Sequence, residues 1–517
     1  MIKHYALLSV FDKTGIEDFS MKLIAAGYTI ISTGGTGKRL TQSHIPFVPI
    51  EQITGNPESF DGRMKTISFQ VESGILFDRA KRTHQKEAKR FHIVPIDVVV
   101  CNLYPFEQTV AKRGVTLPHA IENIDVGGPT MIRAGAKNFR FVLVVVDPAD
   151  YAKVSEMLQK KHMDVDQRQE FAAKAFSHLS LYDAQVARFL NKETFPGELT
   201  IPLRKHKTLR YGDNPDQSAV WYVEPGVDAT ISHLELRAGR NLSATNMTDI
   251  DAGIKSVRLF GTPAAVVIKH NSPCGIGLGN TAHRALSLAL ASDSESAFGG
   301  VVVMNVPMTA RAAGVLADFK DEGRGMMDIV AVPDITGEAL AVLTRVRKST
   351  GVYVFGNMTA HSPNKRLVRW VDGGMIIQNE NNPEESFKTW KVVTEVKPTK
   401  RQLSQMKIIW KAIARIRSNT VAVMDSTLPI VRGIGAGQTS RVLSTKIALE
   451  RAGKYARGGI LASDSFFPFD DSVSLAAKAG IVAIVQQGGS VRDQASIDAA
   501  NASGITMVFT GQRVFWH

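Results

Sequence analysis

Short apolar runs alternate with amphipathic stretches along the N-terminal part of the chain, as far as Phe195-Pro196-Gly197. The runs predict strands, and the stretches, with apolar residues at helical spacing, predict helices. The predicted strands are Tyr5–Ser9, Thr29–Ser32, Ile96–Cys101 and Phe141–Val146, and the predicted helices are Thr14–Ala26, Gly35–Ser43 and Phe171–Leu190. Strands that alternate with helices indicate a compact α/β unit with buried parallel strands.

A second alternating region begins near Leu199 and continues to the C-terminus. Its predicted strands are Ala264–Lys269, Gly300–Met304, Ile329–Val332, Thr420–Met424, Gly459–Ala462, Ile481–Val485 and Thr506–Phe509. Its predicted helices are Gln402–Arg417, Thr439–Ala452 and Ser472–Ala479. We therefore expect two domains, residues 1–198 and 199–517, the second with two internal halves that divide between residues 340 and 400.

Length and composition are those of a multidomain globular protein, since 517 residues exceed what one core supports. No apolar run is long enough for a membrane span, and the N-terminus lacks an apolar signal core. The chain has only two cysteines, too few for a disulfide framework. Because Cys101 and Cys274 lie in or beside apolar runs, we expect both to be buried and reduced, in a cytoplasmic protein.

The formal net charge of +13 is high for a chain of this composition. Nucleic-acid binding is one reading, but the basic residues are spread along the chain and no basic tail or aromatic-rich binding motif accompanies them. Attraction of small polyanions by the summed field is a second reading, and a generally basic proteome is a third. The charge alone does not separate the last two, and a nucleic-acid or membrane partner is not expected.

The segment Lys269–Gly275 carries the clearest chemistry, because it follows the apolar run Ala264–Ile268. A buried strand that ends in Lys-His and breaks at Pro and Gly places two titratable groups at a strand end, where open α/β sheets bind ligands. His270 can accept a proton near neutral pH, and Lys269 can stabilise a developing oxyanion. A structural histidine beside a solvated lysine is the alternative.

Three further motifs resemble known sites only in part. Ser32–Lys38 lacks the spacing and final hydroxyl of a P-loop, and is either a phosphate-binding turn or an ordinary helix start. In Gly433–Gln438 the final glycine of a dinucleotide fingerprint is replaced by Gln438. Pro273-Cys274 lacks the second cysteine and the upstream His-x-Glu of zinc deaminases, and no histidine spacing predicts a metal site.

Several motifs in one order closely resemble a single family, the bifunctional purine-biosynthesis enzymes that combine AICAR (phosphoribosylaminoimidazolecarboxamide) formyltransferase and IMP cyclohydrolase. The C-terminal motifs are Arg210–Pro215, Lys269-His270, Ser296–Gly300, Gly433–Gln438 and Ser463–Phe469. The N-terminal motifs are Leu7–Val10, Asp12–Gly15, Thr33–Thr36, Asp61–Thr66, Asn102–Phe106 and Ile124–Thr130. The resemblance covers essentially the whole chain. It implies a methylglyoxal-synthase-like α/β domain, followed by an α/β transformylase region that resembles duplicated cytidine-deaminase-like subdomains.

For the C-terminal region, the resemblance implies formyl transfer from 10-formyltetrahydrofolate, a co-substrate rather than a bound cofactor, to the amine of AICAR. His270 is then the proton acceptor, and Lys269 and Asn419 polarise the formyl oxygen. The implied nucleotide contacts are Arg210, Tyr211, Gly299, Asp328, Phe466 and Arg513. The implied folate contacts are Arg441, Val442, Asp471, Ser490 and Val491. The family's transformylase site is completed across a dimer interface, so a homodimer is also implied.

For the N-terminal region, the resemblance implies closure of the formamido product (FAICAR) to IMP with loss of water. Lys137 is then the proton shuttle, with Lys65, Tyr104 and Asp125 in support. The implied nucleotide contacts are Asp12, Lys13, Thr33, Gly34, Gly35, Thr36, Arg63, Thr66, Cys101, Asn102 and Val126. No metal is implied.

The chain departs from the family pattern at several positions: Phe11 replaces a serine, Ser68 and Glu72 replace histidines, and Asp216 and Asp470 replace a histidine and an arginine. Phe11 removes a hydroxyl donor beside the expected nucleotide, and Glu72 adds negative charge, so both predict weaker cyclohydrolase action. Two rival readings therefore stay open. One is a monofunctional transformylase whose N-terminal domain only binds nucleotide, and the other is a non-enzymatic nucleotide-binding protein.

Overall fold

The computed structural model describes residues 4–60, 62–112, 114–160, 164–319, 325–358 and 366–517. The chain folds into two units, each with its own apolar core. The first unit comprises Met1–Lys205 with Tyr222–Gly226, and the second comprises His206–Trp221 with Val227–His517. The chain passes between them in two strands, β6 (Arg204–Thr208) and β7 (Val220–Val223).

The first unit is a parallel sheet with helices on both faces. Its strands are β1 (His4–Val10), β2 (Tyr28–Ser32), β3 (Val48–Pro49), β4 (Ile96–Asn102) and β5 (Leu143–Val145), in the order β3-β2-β1-β4-β5. Its helices are α1 (Ile16–Ala25), α2 (Gly34–Gln42), α3 (Ile50–Thr54), α4 (Phe69–Leu76), α5 (Arg82–Arg90), α6 (Phe106–Val110), α7 (Leu117–Glu122), α8 (Gly127–Lys137), α9 (Tyr151–Gln159) and α10 (Val165–Leu190). The order reverses beside β1, so the strand ends of β1, β2 and β4 meet at one edge.

Local capping explains where the predicted helix bounds are wrong. Helix α1 begins at Ile16 rather than Thr14, because Gly15 is left-handed and cannot start the helix earlier. Helix α10 begins six residues before the predicted Phe171. There Asp164 accepts the N–H of Gln167 while the Gln167 side chain accepts the N–H of Asp164, a reciprocal cap that extends the helix.

The second unit begins with strand β8 (Glu235–Ala238), which belongs to the first of two six-stranded sheets. The other strands of that sheet are β9 (Ala264–Lys269), β10 (Ser272–Leu278), β11 (Val301–Met304), β12 (Ile329–Val332) and β13 (Gly351–Val354). The helices of this half are α11 (Ala244–Val257), α12 (Ala282–Ser292), α13 (Ser294–Ala297), α14 (Ala310–Asp318) and α15 (Gly337–Val346).

A two-stranded hairpin of β14 (Arg366–Val371) and β15 (Gly374–Asn379) precedes the second six-stranded sheet. That sheet contains β16 (Lys391–Val392), β17 (Val421–Met424), β18 (Val431–Gly435), β19 (Ile460–Ser463), β20 (Ala483–Gln486) and β21 (Thr506–Phe509). The helices of this half are α16 (Lys400–Ile413), α17 (Arg441–Ala452), α18 (Asp471–Lys478) and α19 (Asp493–Ala502).

The two six-stranded sheets share one topology. Their strand orders are β10-β9-β11-β12-β13-β8 and β18-β17-β19-β20-β21-β16, with parallel and antiparallel pairs at the same places. One buried core contains side chains of both sheets together with Ile254 of α11 and Trp410 of α16. The C-terminal region is thus built from two halves of the same design, and the hairpin between them lies in the range where we expected the division.

The predicted break at Pro273 and Gly275 is wrong, because Ser272–Leu278 forms strand β10. The chain instead reverses at His270 and Asn271, and Pro273 is tolerated because β10 lies at the edge of its sheet. Cys274 is only half-buried, unlike Cys101, and both thiols are free. Among the helices of the described ranges, none is both long and apolar enough to cross a membrane.

Candidate functional sites

A cavity of about 820 Å³ lies at the carboxyl edge of the sheet in the first unit. Most of the N-terminal residues named from the sequence line it: Lys13, Thr33, Gly35, Thr36, Arg63, Lys65, Thr66, Asn102, Tyr104, Asp125 and Val126. They come from the segments that follow β1, β2 and β4, from the stretch between α3 and α4, and from the turn before α8. This is the place where open α/β sheets bind ligands.

Three cations of this cavity hold exchangeable partners. Lys65 pairs with Glu58 at 2.9 Å, Arg63 pairs with Glu122, and Lys13 Nζ donates to the carbonyl of Phe11 at 3.1 Å. The Arg63 and Glu122 side chains are 67% and 58% exposed, so their ion pair is weak. A phosphate entering the cavity can replace these partners at little cost.

The turn after β2 supplies a helix N-terminus to the same cavity. Thr33 precedes α2, and its side chain makes no capping hydrogen bond to the helix. A Cβ at Gly34 would collide with the Nζ of Lys65, so glycine is needed for the lysine to lie against this helix end. Thr36 lines the cavity but is buried, and its hydroxyl bonds to the backbone of Val10, so this hydroxyl holds the loop.

Asp125 stands at the start of α8 and accepts the N–H of Gly128 at 2.9 Å. Burial raises the pKa of Asp125, and this hydrogen bond partly offsets the rise. The N–H of Asp125 donates to the hydroxyl of Tyr182 at 2.7 Å, which fixes the loop from behind. Tyr104 is half exposed in the cavity. A carboxyl with a raised pKa that lines the same cavity as a phenol suits proton transfer.

Asn102 lines the cavity, but its carboxamide is occupied by the protein. Its Oδ1 accepts the N–H groups of Phe11 and Asp12 at 2.7 and 2.8 Å, and its Nδ2 donates to the carbonyl of Asp12 at 3.1 Å. Asn102 therefore orders the loop after β1. Asp12 in turn accepts two hydrogen bonds from Thr14, which lower its pKa.

Four predicted residues of this region are not cavity residues: Asp12, Gly34, Cys101 and Lys137. Cys101 is buried in β4, and burial raises the pKa of its thiol. Lys137 is exposed at the last residue of α8, whereas the cavity is lined by the first turns of that helix. With a rise of about 1.5 Å per residue, Lys137 lies roughly 13 Å along the axis from Gly128. Asp61 of the Asp61–Thr66 motif lies outside the described residues.

The departures from the family pattern have different consequences in the structure. Ser68 caps α4 by accepting the N–H of Val71 at 3.1 Å. Glu72 is not a cavity residue, so its side chain is not placed to repel a bound nucleotide directly, contrary to the prediction from the sequence. Its Oε1 is buried without a hydrogen-bond partner, and burial raises the pKa of Glu72 to about 7. Phe11, by contrast, lines the cavity.

In the second unit, Lys269 and His270 end strand β9 at a tight hairpin. His270 and Asn271 both have positive φ, 55° and 61°, and the N–H of Asn271 donates to Asp249 of α11 at 2.7 Å. Lys269 Nζ donates to the carbonyl of Phe298 at 2.9 Å, beside Gly299, and the His270 side chain is exposed. The hairpin therefore presents an exposed imidazole next to a held ammonium group.

Asn419 lies in the turn before β17 and is fully engaged by neighbours. Its Nδ2 donates to the carbonyls of Gln438 and Thr439 at 2.9 and 3.3 Å, and its Oδ1 accepts from Arg441 at 2.8 Å. The N–H of Arg417 in the same turn donates to Ser272 Oγ at 3.4 Å, next to the β9–β10 hairpin. The second half of the unit thus brings the turn that carries Asn419 to the hairpin of the first.

Arg441, named from the sequence as a folate contact, is instead buried in an ion pair with Asp464. Asp464 also accepts the Ser418 hydroxyl at 2.6 Å and the N–H of Thr420 at 2.9 Å. The pair therefore holds the turn that carries Asn419. Sequence reasoning missed Asp464 as a site residue, although it stands inside the Ser463–Phe469 motif.

The remaining residues predicted to contact the nucleotide in the second unit are Arg210, Tyr211, Gly299, Asp328, Phe466 and Arg513. Asp328 accepts from Arg240 and Asn246 at 2.6 and 2.9 Å, and its backbone pairs with Gly300 beside Gly299. Arg210 donates to the Tyr211 hydroxyl at 2.9 Å, while the Arg513 guanidinium lies 4.5 Å from the Phe515 ring. Phe466 is half-buried after β19.

The remaining predicted folate residues are more open. Val442 follows Arg441 in α17, Asp471 begins α18, and Ser490 and Val491 lie in the loop after β20. Val491 is fully exposed and Asp471 is also exposed. The departure Asp216 is exposed in the turn after Asn214. Among the described residues, no group of three histidines, cysteines or carboxylates is placed to hold a metal ion.

Two family models match the chain. The model described as "AICARFT/IMPCHase bienzyme" matches residues 135–451, and the "MGS-like domain" model matches residues 15–130. The chain is also similar along its whole length to proteins named "Bifunctional purine biosynthesis protein PurH". It is 42% identical to that of Anoxybacillus flavithermus over 521 residues, and 41% identical to that of Ruminiclostridium cellulolyticum over 525 residues, with 100% of each chain covered. A solved structure titled "Crystal structure of ForH" aligns with 36% of this chain and 95% of its own, at 33% identity and a TM-score of 0.34.

Proposed function

The chain belongs to the family of AICARFT/IMPCHase bienzymes, and we propose how its own residues divide the two activities between its two units. The enzyme transfers a formyl group from 10-formyltetrahydrofolate to AICAR and closes the resulting FAICAR to IMP. The observation that carries the division is that the N-terminal cavity residues and the Lys269-His270 hairpin lie in different folded units. We assign cyclisation to the domain of residues 1–198 and formyl transfer to residues 199–517.

Cyclisation joins the carboxamide nitrogen of FAICAR to its formyl carbon and expels the formyl oxygen as water. Lys13, Arg63 and the helix start at Thr33 bind the phosphate in this proposal, since cations and free N–H groups suit an anion. Lys65 stabilises the oxyanion, and Asp125 and Tyr104 move two protons to the departing oxygen, one from the carboxamide nitrogen and one from the formamide nitrogen, so that it leaves as water. Lys137 is not needed for these steps, because it lies at the far end of α8.

Formyl transfer joins the AICAR amine nitrogen to the formyl carbon and breaks the bond from that carbon to N10 of the folate. His270 takes the amine proton, Lys269 stabilises the negative oxygen, and N10 leaves with a proton. Asn419 orders the neighbouring turn, and its own carboxamide is already paired with Gln438, Thr439 and Arg441. Deprotonation and charge stabilisation are each worth about 10²–10⁴ in rate.

Nucleotide contacts in the second unit are assigned to Arg210, Tyr211, Gly299, Asp328, Phe466 and Arg513. Folate contacts are assigned to Val442, Asp471, Ser490 and Val491, which have exposed surface, while Arg441 acts from within the protein. We further propose a cytoplasmic homodimer without a tightly bound cofactor. Sedimentation of the full chain at assay concentration tests the dimer, and a monomer with full transformylase activity would contradict it.

The monofunctional rival is not favoured, because Lys65, Tyr104 and Asp125 all remain around one cavity. The decisive experiment adds AICAR and 10-formyltetrahydrofolate to the purified full chain and follows tetrahydrofolate release and IMP formation separately. We expect both products. Tetrahydrofolate release with FAICAR accumulating unchanged would instead support a monofunctional transformylase, and neither product would contradict the enzyme assignment.

A further inference from the structure

Two aromatic rings contact each other at a tilt in the cavity of the first unit. The ring centroids of Phe11 and Tyr104 lie 4.5 Å apart with an interplanar angle of 44°. Phe11 is 43% exposed and Tyr104 is 49% exposed, although both line the cavity. Partly exposed aromatic faces inside a cavity offer a contact surface for a flat apolar or heteroaromatic ligand group.

The sheet edge fixes both rings. Phe11 follows β1 and Tyr104 follows β4, and these strands pair in parallel with Val10 opposite Asn102. The Asn102 carboxamide accepts the N–H of Phe11, so it anchors the loop that carries the ring. The rings are therefore in place before a ligand arrives, and little conformational entropy is lost on binding.

The rest of the cavity is charged, and this determines the class of ligand. Lys13, Arg63 and Lys65 line the same cavity as the rings and suit a phosphate. A ligand that satisfies both features is a phosphorylated heterocycle, that is, a nucleotide. The cations alone do not separate a nucleotide from a sugar phosphate, but the aromatic pair does.

We propose that Phe11 and Tyr104 form a stacking platform for the heterocycle of the nucleotide, and that Phe11 determines affinity for the base rather than for the phosphate. This inference rests on the proposed cyclohydrolase function of the first unit. It reverses the expectation from sequence that Phe11 weakens binding by removing a hydroxyl donor. The ring replaces one hydrogen bond with an aromatic face that serine cannot supply.

Cyclisation kinetics of the full chain test the platform, because they report on the first unit alone. The variants are Phe11→Leu, which keeps apolar bulk without a ring, and Phe11→Ser, which restores the family hydroxyl. The matched control is Phe69→Leu. Phe69 is 59% exposed and paired edge-to-face with Phe91 in the same unit, but it is not a cavity residue. The measured quantities are KM and kcat for FAICAR and the inhibition constants of IMP and ribose 5-phosphate.

Both Phe11 variants should raise KM for FAICAR and the inhibition constant of IMP by roughly three- to tenfold, with kcat and ribose 5-phosphate inhibition unchanged. Phe69→Leu should change none of these values. Tighter IMP binding by Phe11→Ser would overturn the platform, and so would equal weakening of IMP and ribose 5-phosphate. If wild-type protein does not cyclise FAICAR, the proposed function fails. Calorimetric titration of the full chain with IMP then still tests the stacking platform. Phe11→Leu should weaken IMP binding at one of the sites that the titration resolves, and unchanged binding would overturn the platform.

Discussion

The two candidate sites lie at strand ends of α/β sheets, but they differ in whether the ion pairs around them are exposed to solvent or buried. In the first unit, the exposed side chains of Arg63 and Glu122 form a pair that solvent already weakens. In the second, Arg441 and Asp464 form a buried pair whose partners cannot separate without cost. The first site therefore exchanges its own ion pairs for a ligand, whereas the second presents groups that the fold has already fixed.

Loss of the His270 imidazole should damage one site and spare the other. His270→Ala removes the exposed base of the hairpin and should lower formyl transfer by about 10²–10⁴, because general-base catalysis is lost. Cyclisation of supplied FAICAR should be unchanged, since His270 is in the other unit. The control His283→Ala changes a histidine of α12 in the same unit and should leave both rates intact. Parallel loss of both activities in folded His270→Ala would show that the two sites do not act independently.

The second effect tests whether the buried pair positions Asn419. Asp464→Asn and Asp425→Asn each leave a buried arginine without its carboxylate, Arg441 and Arg432 respectively, and each should cost about 3–5 kcal/mol. Asp464 accepts the N–H of Thr420, next to Asn419, whereas Asp425 lies after the other end of β17.

Formyl transfer per folded molecule should therefore fall by up to about 10²-fold only in Asp464→Asn, since small misplacements in a site have effects of that size. Urea unfolding and activity are measured on the same samples. A similar loss of specific activity in both variants would show that instability alone is responsible.

Sequence reasoning located many of the central strands of both units, because buried strands such as β9 and β12 are short, continuous apolar runs. Helix starts were less well predicted, and α10 shows why: its true start depends on the paired side chains of Asp164 and Gln167. The hairpin at His270 was also missed. Two consecutive non-glycine residues with positive φ leave no signature in the hydrophobic pattern.

The candidate sites show the same limit. Motif order brought Lys65, Tyr104 and Asp125 into one predicted site, and they line one cavity. The same reasoning could not tell that Arg441 would turn inward to Asp464 or that Phe11 would meet Tyr104. Side-chain partners across distant loops depend on tertiary packing, which one sequence does not display.

A weaker, pH-dependent effect on stability is expected from Glu72, which neither site uses. Its pKa is raised to about 7 by burial, so the folded protein prefers the neutral acid. Stability contributed by the protonated form is complete below the unfolded pKa near 4.5 and is lost as pH rises to about 7. Glu72→Gln cannot ionise, so its melting temperature relative to wild type should increase between these pH values and then remain constant. A pH-independent difference would show that Glu72 titrates normally.

If each unit carries one of the two activities, two chains damaged in different units should complement each other when they are mixed. Lys65→Met should make FAICAR but not close it, and His270→Ala should close FAICAR but not make it. Neither variant alone should convert AICAR and 10-formyltetrahydrofolate to IMP, whereas an equimolar mixture should do so. As the control, a chain that carries both substitutions, at the same total protein concentration, should form no IMP. No IMP from the mixture, with both proteins folded, would contradict the division of the two activities.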